Sequence, residues 1–366
     1  MTPPAFAEDP TIDITKAWVE KTFKHPKLLM GCRLSPSGRW AAAGGVDAQV
    51  HLWDLEGDRK VSLEGHAGWV TALAFSADGT QLLSTDSQGG VRAWWVEDSG
   101  ALPQWTQKEA HAGWIRAAAA SRDGRFFATA GYDRVVRLWS AGDGVRVREL
   151  TGHAGEIYSL EFHPDGQSLV SGDLFGKIRH WDVLSGKLVR EIDASVLHTR
   201  GEDFLADVGG VRSMAFDARG EILACGGLSD AKSNTFCPGA PTVLFFDWAS
   251  GAQKLRFKAK DDKIDGAVTG LRYLADGTLA GTSEGQSMGA VWFWKPGEAE
   301  PFHAMTGQSV YGVDLHPDGR RIATTGFEPI GRGGNGRHVQ RGGYLGNGGQ
   351  LRLISLHPKP APVKKK

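Results

Sequence analysis

GHAGWVTALAFSADG occupies residues 65–79, and nearly the same phrase returns as AHAGWIRAAAASRDG at 110–124 and GHAGEIYSLEFHPDG at 152–166. Each copy carries a histidine near its start, a run of β-formers and a turn that ends on glycine. Thirteen residues separate His66, His111 and His153 from that glycine, and fifteen more lead to Trp94, Trp139 and Trp181. KHPK at 24–27 opens a further copy, because His25, Gly38 and Trp53 keep both spacings. Self-similarity at a fixed period marks a repeat architecture, in which each unit buries its apolar faces against its neighbours.

Working outward, the turn glycine recurs as SPSG, SADG, SRDG, HPDG, DARG, LADG and HPDG, ending at Gly38, Gly79, Gly124, Gly166, Gly220, Gly277 and Gly319. Short β-rich runs flank every turn, as in VTALAF and QLLSTD, and a third run ends on an aromatic, as in VRLWSA and IRHWDV. Strands of this length between Gly, Asp, Ser and Pro turns read as an antiparallel meander. Apolar residues stand on both faces of many strands, so each sheet must be covered on both sides.

The histidine opening, the Asp-Gly turn and the closing Trp-Asp resemble the WD-repeat β-propeller family. That resemblance covers roughly residues 17–357 and implies an all-β, seven-bladed β-propeller of four-stranded antiparallel blades. AWVEKTF at 17–23 is similar to the outer strands RKVSLEG and GKLVREI yet precedes the first unit, and the last unit stops after LRLISL. The N-terminal strand is therefore expected to complete the seventh blade and close the ring, which removes an exposed sheet edge. Residues 1–16 read as an extension and 358–366 as a basic tail.

The resemblance also implies a buried network of histidine, hydroxyl, carboxylate and indole. Carried over by position it is complete in the third copy, as His111, Thr129, Asp133 and Trp139. The second copy has His66, Ser84 and Trp94 with Gln88 at the acidic position, and the fourth has His153, Ser171 and Trp181 with Phe175 there. The first has His25, Asp47 and Trp53, with Ala43 in place of the hydroxyl. A buried imidazole needs a partner at each ring nitrogen, so a structural role is expected for these histidines. Each copy offers one of them and zinc needs three or four ligands together, so no metal is assigned.

Forty-two basic and forty-two acidic side chains give no global attraction to nucleic acid or anionic membrane. Three cysteines form no disulfide framework, which suits a reducing compartment, and a cytoplasmic location is expected. No secretory signal and no apolar run long enough to span a membrane is read from the chain. GTSEG at 281–285 matches a nucleophile elbow, but that motif needs a helix after the serine and a strand-to-strand turn is expected there. GRGGNG at 331–336 lacks the βαβ unit that a dinucleotide site requires. No catalytic residue and no cofactor is assigned, and no enzyme is expected.

Three long connections stand out: ASVLHTRGEDFLADVGG at 194–210, LSDAKSNTFCPGAP at 228–241 and FEPIGRGGNGRHVQRGGYLGNGG at 327–349. In a four-stranded meander all three leave from one face of the disc, over blades five to seven. Per-repeat insertions on one face often mark a binding surface. The same face should carry residues three and five positions beyond each aligned histidine. These include Trp69, Trp114, Arg116 and Tyr158, and counting back from the turn glycines adds Arg212 and Tyr311, with Tyr132 beside them. Aromatics and arginine anchor protein interfaces. The expected function is a non-enzymatic scaffold that binds a protein or peptide. Binding of single-stranded nucleic acid through Arg332, Arg337 and Arg341 is the second reading, and a propeller hydrolase the third. The sequence does not fix the oligomeric state, for which a monomer is the expectation.

Overall fold

A computed structural model describes residues 12–57, 59–97, 102–203, 205–234, 238–260, 264–285, 289–307, 310–327, 338–340, 343–345 and 348–360. Seven four-stranded antiparallel sheets follow one another around a ring. The first is built from Leu29–Leu34, Trp40–Gly45, Val50–Asp54 and Lys60–Leu63, and the next five repeat that meander in chain order. Two 3₁₀ turns, Ile14–Lys16 and Ser195–Leu197, are the helical pieces among the described residues. No helix there is long and apolar enough to cross a membrane.

The seventh blade is composite. Val310–Leu315, Arg321–Phe327 and Gly349–Ser355 supply three strands, and Trp18–His25 from the N-terminal region supplies the outermost. Its pairing runs from Trp18 opposite Ser355 to His25 opposite Gly349. Each innermost strand touches the innermost strands of both neighbours, and Val310–Leu315 closes onto Leu29–Leu34.

The turn glycines explain why the motif repeats. All seven, from Gly38 to Gly319, adopt positive φ between 69° and 85°, a region that suits glycine and few other residues. The aromatic third strand explains the rest. Trp40, Leu52 and Leu63 of the first blade pack with Val70, Leu73 and Trp94 of the second. Comparable clusters join blades two and three, three and four, and so on to seven and one. The core therefore lies between blades, and this is why the strands are apolar on both faces. Two turn histidines add polar clasps: His163 binds the Gly220 carbonyl at 2.9 Å, and His316 binds the Gly38 carbonyl at 2.8 Å across the seam between blades seven and one.

Two of the long connections are partly built as strands. His198–Gly201 pairs with Ala206–Gly209, and in the last insert His338–Gln340 pairs with Gly343–Leu345. The second and third strands of blade five are lengthened, paired out to Ser229 opposite Ala240. Val208, Leu228 and Ala267 bury a small apolar cluster between the first ribbon, blade five and blade six.

Candidate functional site

The histidine network is seen in full in three blades. In the third, His111 Nδ1 lies 3.0 Å from Asp133 Oδ1, His111 Nε2 lies 2.8 Å from Thr129 Oγ1, and Trp139 Nε1 donates to the same hydroxyl at 2.7 Å. The second has His66–Asp86 at 2.7 Å, His66–Ser84 at 2.7 Å and Trp94–Ser84 at 2.7 Å. The fourth has His153–Asp173 at 2.8 Å, His153–Ser171 at 2.6 Å and Trp181–Ser171 at 2.8 Å.

The carboxylates of blades two and four are thus Asp86 and Asp173, two residues before the expected Gln88 and Phe175. The reason lies in the turn between second and third strands. Asp86 and Asp173 end their second strands, and one oxygen of each accepts backbone N–H groups of that turn, from Gln88 and Gly90 or from Phe175 and Lys177. The other oxygen faces the histidine. Blade three has Gly131 at that strand end, and Asp133 serves from inside the turn. Either end of one turn can supply the acid. In blade six Gly281 holds the hydroxyl position, the Trp294 ring lies over it, and Trp294 Nε1 is buried without a partner. Cys225 replaces the hydroxyl in blade five, fully buried, with its thiol pushed well up by burial.

Burial holds the His66 and His111 imidazoles below their ordinary value of 6.5, against the opposing pull of Asp86 and Asp133. Burial, the largest single influence, tends to raise both carboxylates, but the histidine contacts together with the turn N–H groups at Asp86 and with Arg137 at Asp133 outweigh it, and each titrates below its ordinary 3.8. Both effects act in one direction. Below about pH 6.5 the unfolded histidines take up protons that the folded ones refuse. Below about pH 4 the unfolded carboxylates do the same. Melting temperature is therefore expected to fall from pH 7 to pH 5 and more steeply below pH 4. A His111→Gln chain should show a shallower first decline by differential scanning fluorimetry, and an unchanged slope would refute the assignment.

The channel mouth is built by a backbone irregularity repeated seven times. Each innermost strand shifts register at its start: between Val70 and Ala72, Ile115 and Ala117, Ile157 and Ser159, Val211 and Ser213, Val268 and Gly270, Val310 and Gly312, and between Leu29 and Cys32. The residues passed over include Thr71, Arg116, Tyr158, Arg212, Thr269, Tyr311 and Met30. A β-bulge turns such a residue out of the normal alternation. All seven line one central cavity of about 250 Å³.

Four blades contribute a continuous aromatic and cationic ladder at this mouth. Trp69 meets Trp114 edge to face with centroids 5.5 Å apart, and the Arg116 guanidinium lies 5.0 Å from the Trp114 ring and 5.0 Å from the Tyr158 ring. Arg212 caps the other side of Tyr158 at 3.8 Å and donates to the Gly209 carbonyl at 2.7 Å, which ties it to the ribbon of the first long connection. Trp69 and Tyr132 remain 46% and 55% exposed, unusual for side chains of that size. Arg116 Nε is buried and makes no hydrogen bond, but it faces Glu156 Oε2 at 3.8 Å. Burial raises the Glu284 carboxyl above its ordinary value despite Arg212 and Arg116 nearby, and raises Tyr311 to about 12. The sequence offsets bring Trp69, Trp114 and Glu156 to this mouth together, whereas Glu284 stands on none of them.

Ser283 ends a strand and accepts the Ala290 N–H at 3.2 Å, so GTSEG forms a strand-to-strand turn. Arg332, Arg337 and Arg341, GRGGNG and Cys237 lie outside the described residues.

Against known proteins, the WD40 family model (WD domain, G-beta repeat) matches residues 19–54, 57–94, 103–140 and 144–182. Each match begins on or just before the outer strand of one blade and ends on the third strand of the next, so a repeat spans two blades. The chain is 26% identical over 277 residues to a guanine nucleotide-binding protein subunit beta of Arabidopsis thaliana, covering 72% of this chain and 69% of that protein. From the same plant, Periodic tryptophan protein 2 is 26% identical over 201 residues, 43% of this chain and 22% of its own length. Cell division cycle 20.1, cofactor of APC complex, also from Arabidopsis thaliana, is 28% identical over 174 residues, 45% and 38%. The chain thus carries four WD40 repeats on a closed ring of seven blades and resembles other WD-repeat proteins in sequence.

Proposed function

We propose that the protein is a non-enzymatic interaction scaffold of a reducing, cytoplasmic compartment, binding a protein or peptide at the channel mouth and under the long connections of blades five to seven. The observation that supports this reading is the ladder Trp69–Trp114–Arg116–Tyr158–Arg212, with exposed aromatic faces at one end and guanidinium groups at the other. Interfaces draw most of their energy from such aromatic and arginine anchors. Arg116 Nε faces Glu156 at 3.8 Å but makes no hydrogen bond, which favours a ligand that brings an acceptor, such as an acidic side chain laid across Trp114. Two of the relatives carry names of subunits or cofactors of larger assemblies, which agrees with this role. The channel's carboxylates keep arginine company, as with Asp314 at 2.8 Å and Glu161 at 3.9 Å from Arg272. That gives a hydrolase reading no support.

Replacing Trp114 and Arg116 together by alanine tests the face. Both are partly exposed, so the fold should survive with a melting temperature within a few degrees of the parent. Capture of partners from a peptide library or lysate should fall by at least about tenfold, since hot-spot truncations cost roughly 2 kcal/mol or more. Undiminished capture of the same partners would reject this face.

A further inference from the structure

The expectation of no metal rests on one histidine per repeat, and the first repeat breaks that count. His51, the second residue of the third strand of blade one, takes the cross-strand position held by Arg92 and Arg137 in blades two and three. Its partner across the strands is Ala43, so the hydroxyl that fixes the imidazole elsewhere is missing. Both Nε2 atoms converge on one carboxylate instead: His25 stands 3.0 Å from Asp47 Oδ2, and His51 stands 3.2 Å from each Asp47 oxygen.

We propose that His25, Asp47 and His51 form a zinc-class divalent-metal site that fastens the seam of the ring. Two imidazoles and a carboxylate are a recognised donor set for zinc, with bonds of about 2.0–2.2 Å. Ligand atoms on a tetrahedron of that size stand roughly 3.3 Å apart, close to the separations seen here. The three donors lie within 4.8 Å of one another. His51 Nδ1 lies 2.9 Å from Ser62 Oγ, an outer partner that can accept its N–H and leave Nε2 free for a metal. The histidines are buried and Asp47 is part-exposed, so an ion can enter from that side and keep a water as fourth ligand. The two ring centroids are 4.0 Å apart, so binding opens the rings slightly.

The placement gives the site its consequence. His25 is the last residue of the closing strand, paired with Gly349 of blade seven, whereas Asp47 lies in the turn between the second and third strands of blade one and His51 on the third. A bound ion would therefore link the two blades that ring closure must join.

Lys60 opposes binding. Its ammonium sits 3.0 Å from His25 Nδ1, a nitrogen that must carry a proton when Nε2 is bound. Lys60 is exposed and can swing into water, so its removal should tighten the site.

The test uses the untagged full chain, stripped with a chelator and titrated with zinc against a chromophoric competitor, with cobalt in parallel for its visible absorption. One equivalent should bind, with tetrahedral cobalt bands and a rise in melting temperature. Asp47→Asn and His51→Gln should weaken zinc binding at least tenfold, Lys60→Met should strengthen it several-fold, and His66→Gln should leave it unchanged. No retained equivalent in the parent chain would overturn the proposal. So would a His51→Gln chain that binds as tightly as the parent, or a Lys60→Met chain that binds no more tightly. Should His51→Gln fail to fold, the stoichiometry of the parent and the Lys60→Met comparison decide alone.

Discussion

A chain lacking residues 1–24 is expected to melt at least roughly 10 °C below the parent, a loss on the order of 5 kcal/mol. The seventh blade has three strands from its own stretch of sequence, and Trp18–His25 supplies the fourth. Deletion removes the ladder that pairs Trp18 through Lys24 with Ser355 through Gln350. It also withdraws Ile14, buried in the cluster between blades six and seven, and Phe23, which packs on the cluster between seven and one. Burying one such side chain stabilises by about 1.5–3 kcal/mol, and the strand hydrogen bonds add to it. The freed edge of Gly349–Ser355 would offer unpaired N–H and C=O groups to other chains, so aggregation near the lowered transition is expected too. A chain lacking residues 1–11 alone keeps the closing strand and is the control. Equal melting temperatures for the parent and the 1–24 deletion would contradict the closure.

That closure was legible in the sequence because an outer strand stood before the first repeat and was missing after the last. The seven turn glycines were legible because one positive-φ turn that favours glycine recurs between the same two strands of every blade. The ring at the channel mouth could be collected by offset from the histidines and, in blades five to seven, from the turn glycines, though the offset does not reveal the β-bulge that turns Arg116, Tyr158 and Arg212 inward. Asp86 and Asp173 escaped notice for a different reason. The turn they begin can take its acid from either end, and a spacing rule learned on Asp133 sees one end. His51 was hidden because its meaning depends on the register of two strands. Only the pairing of His51 with Ala43 shows that a second imidazole stands where another blade has arginine over a hydroxyl. Spacing along the chain finds what repeats, and register across it finds what one repeat has lost.

Trp139→Ala should cost about 3–5 kcal/mol, the range for truncating a large aromatic in a close-packed core. The indole is 3% exposed and lies in the cluster between blades two and three with Phe127, Trp105 and Ile115. Two effects combine in that figure, and a second substitution separates them. Trp139→Phe keeps much of the packing but removes the N–H that reaches Thr129 at 2.7 Å. It should therefore cost less than the alanine change, with a contribution of about 1 kcal/mol from the lost hydrogen bond. Thr129→Val removes the hydroxyl that joins Trp139 to His111, and so leaves His111 Nε2 and the indole N–H unpaired together. Combining Thr129→Val with Trp139→Phe should be less than additive, because the first substitution has already broken the bond that the second would remove. Chemical denaturation of the four chains measures that coupling. Strict additivity would mean that the indole and the hydroxyl do not act through one another. A Trp139→Ala cost under about 1 kcal/mol would place the ring outside the core, and with it the reason that an aromatic closes the third strand.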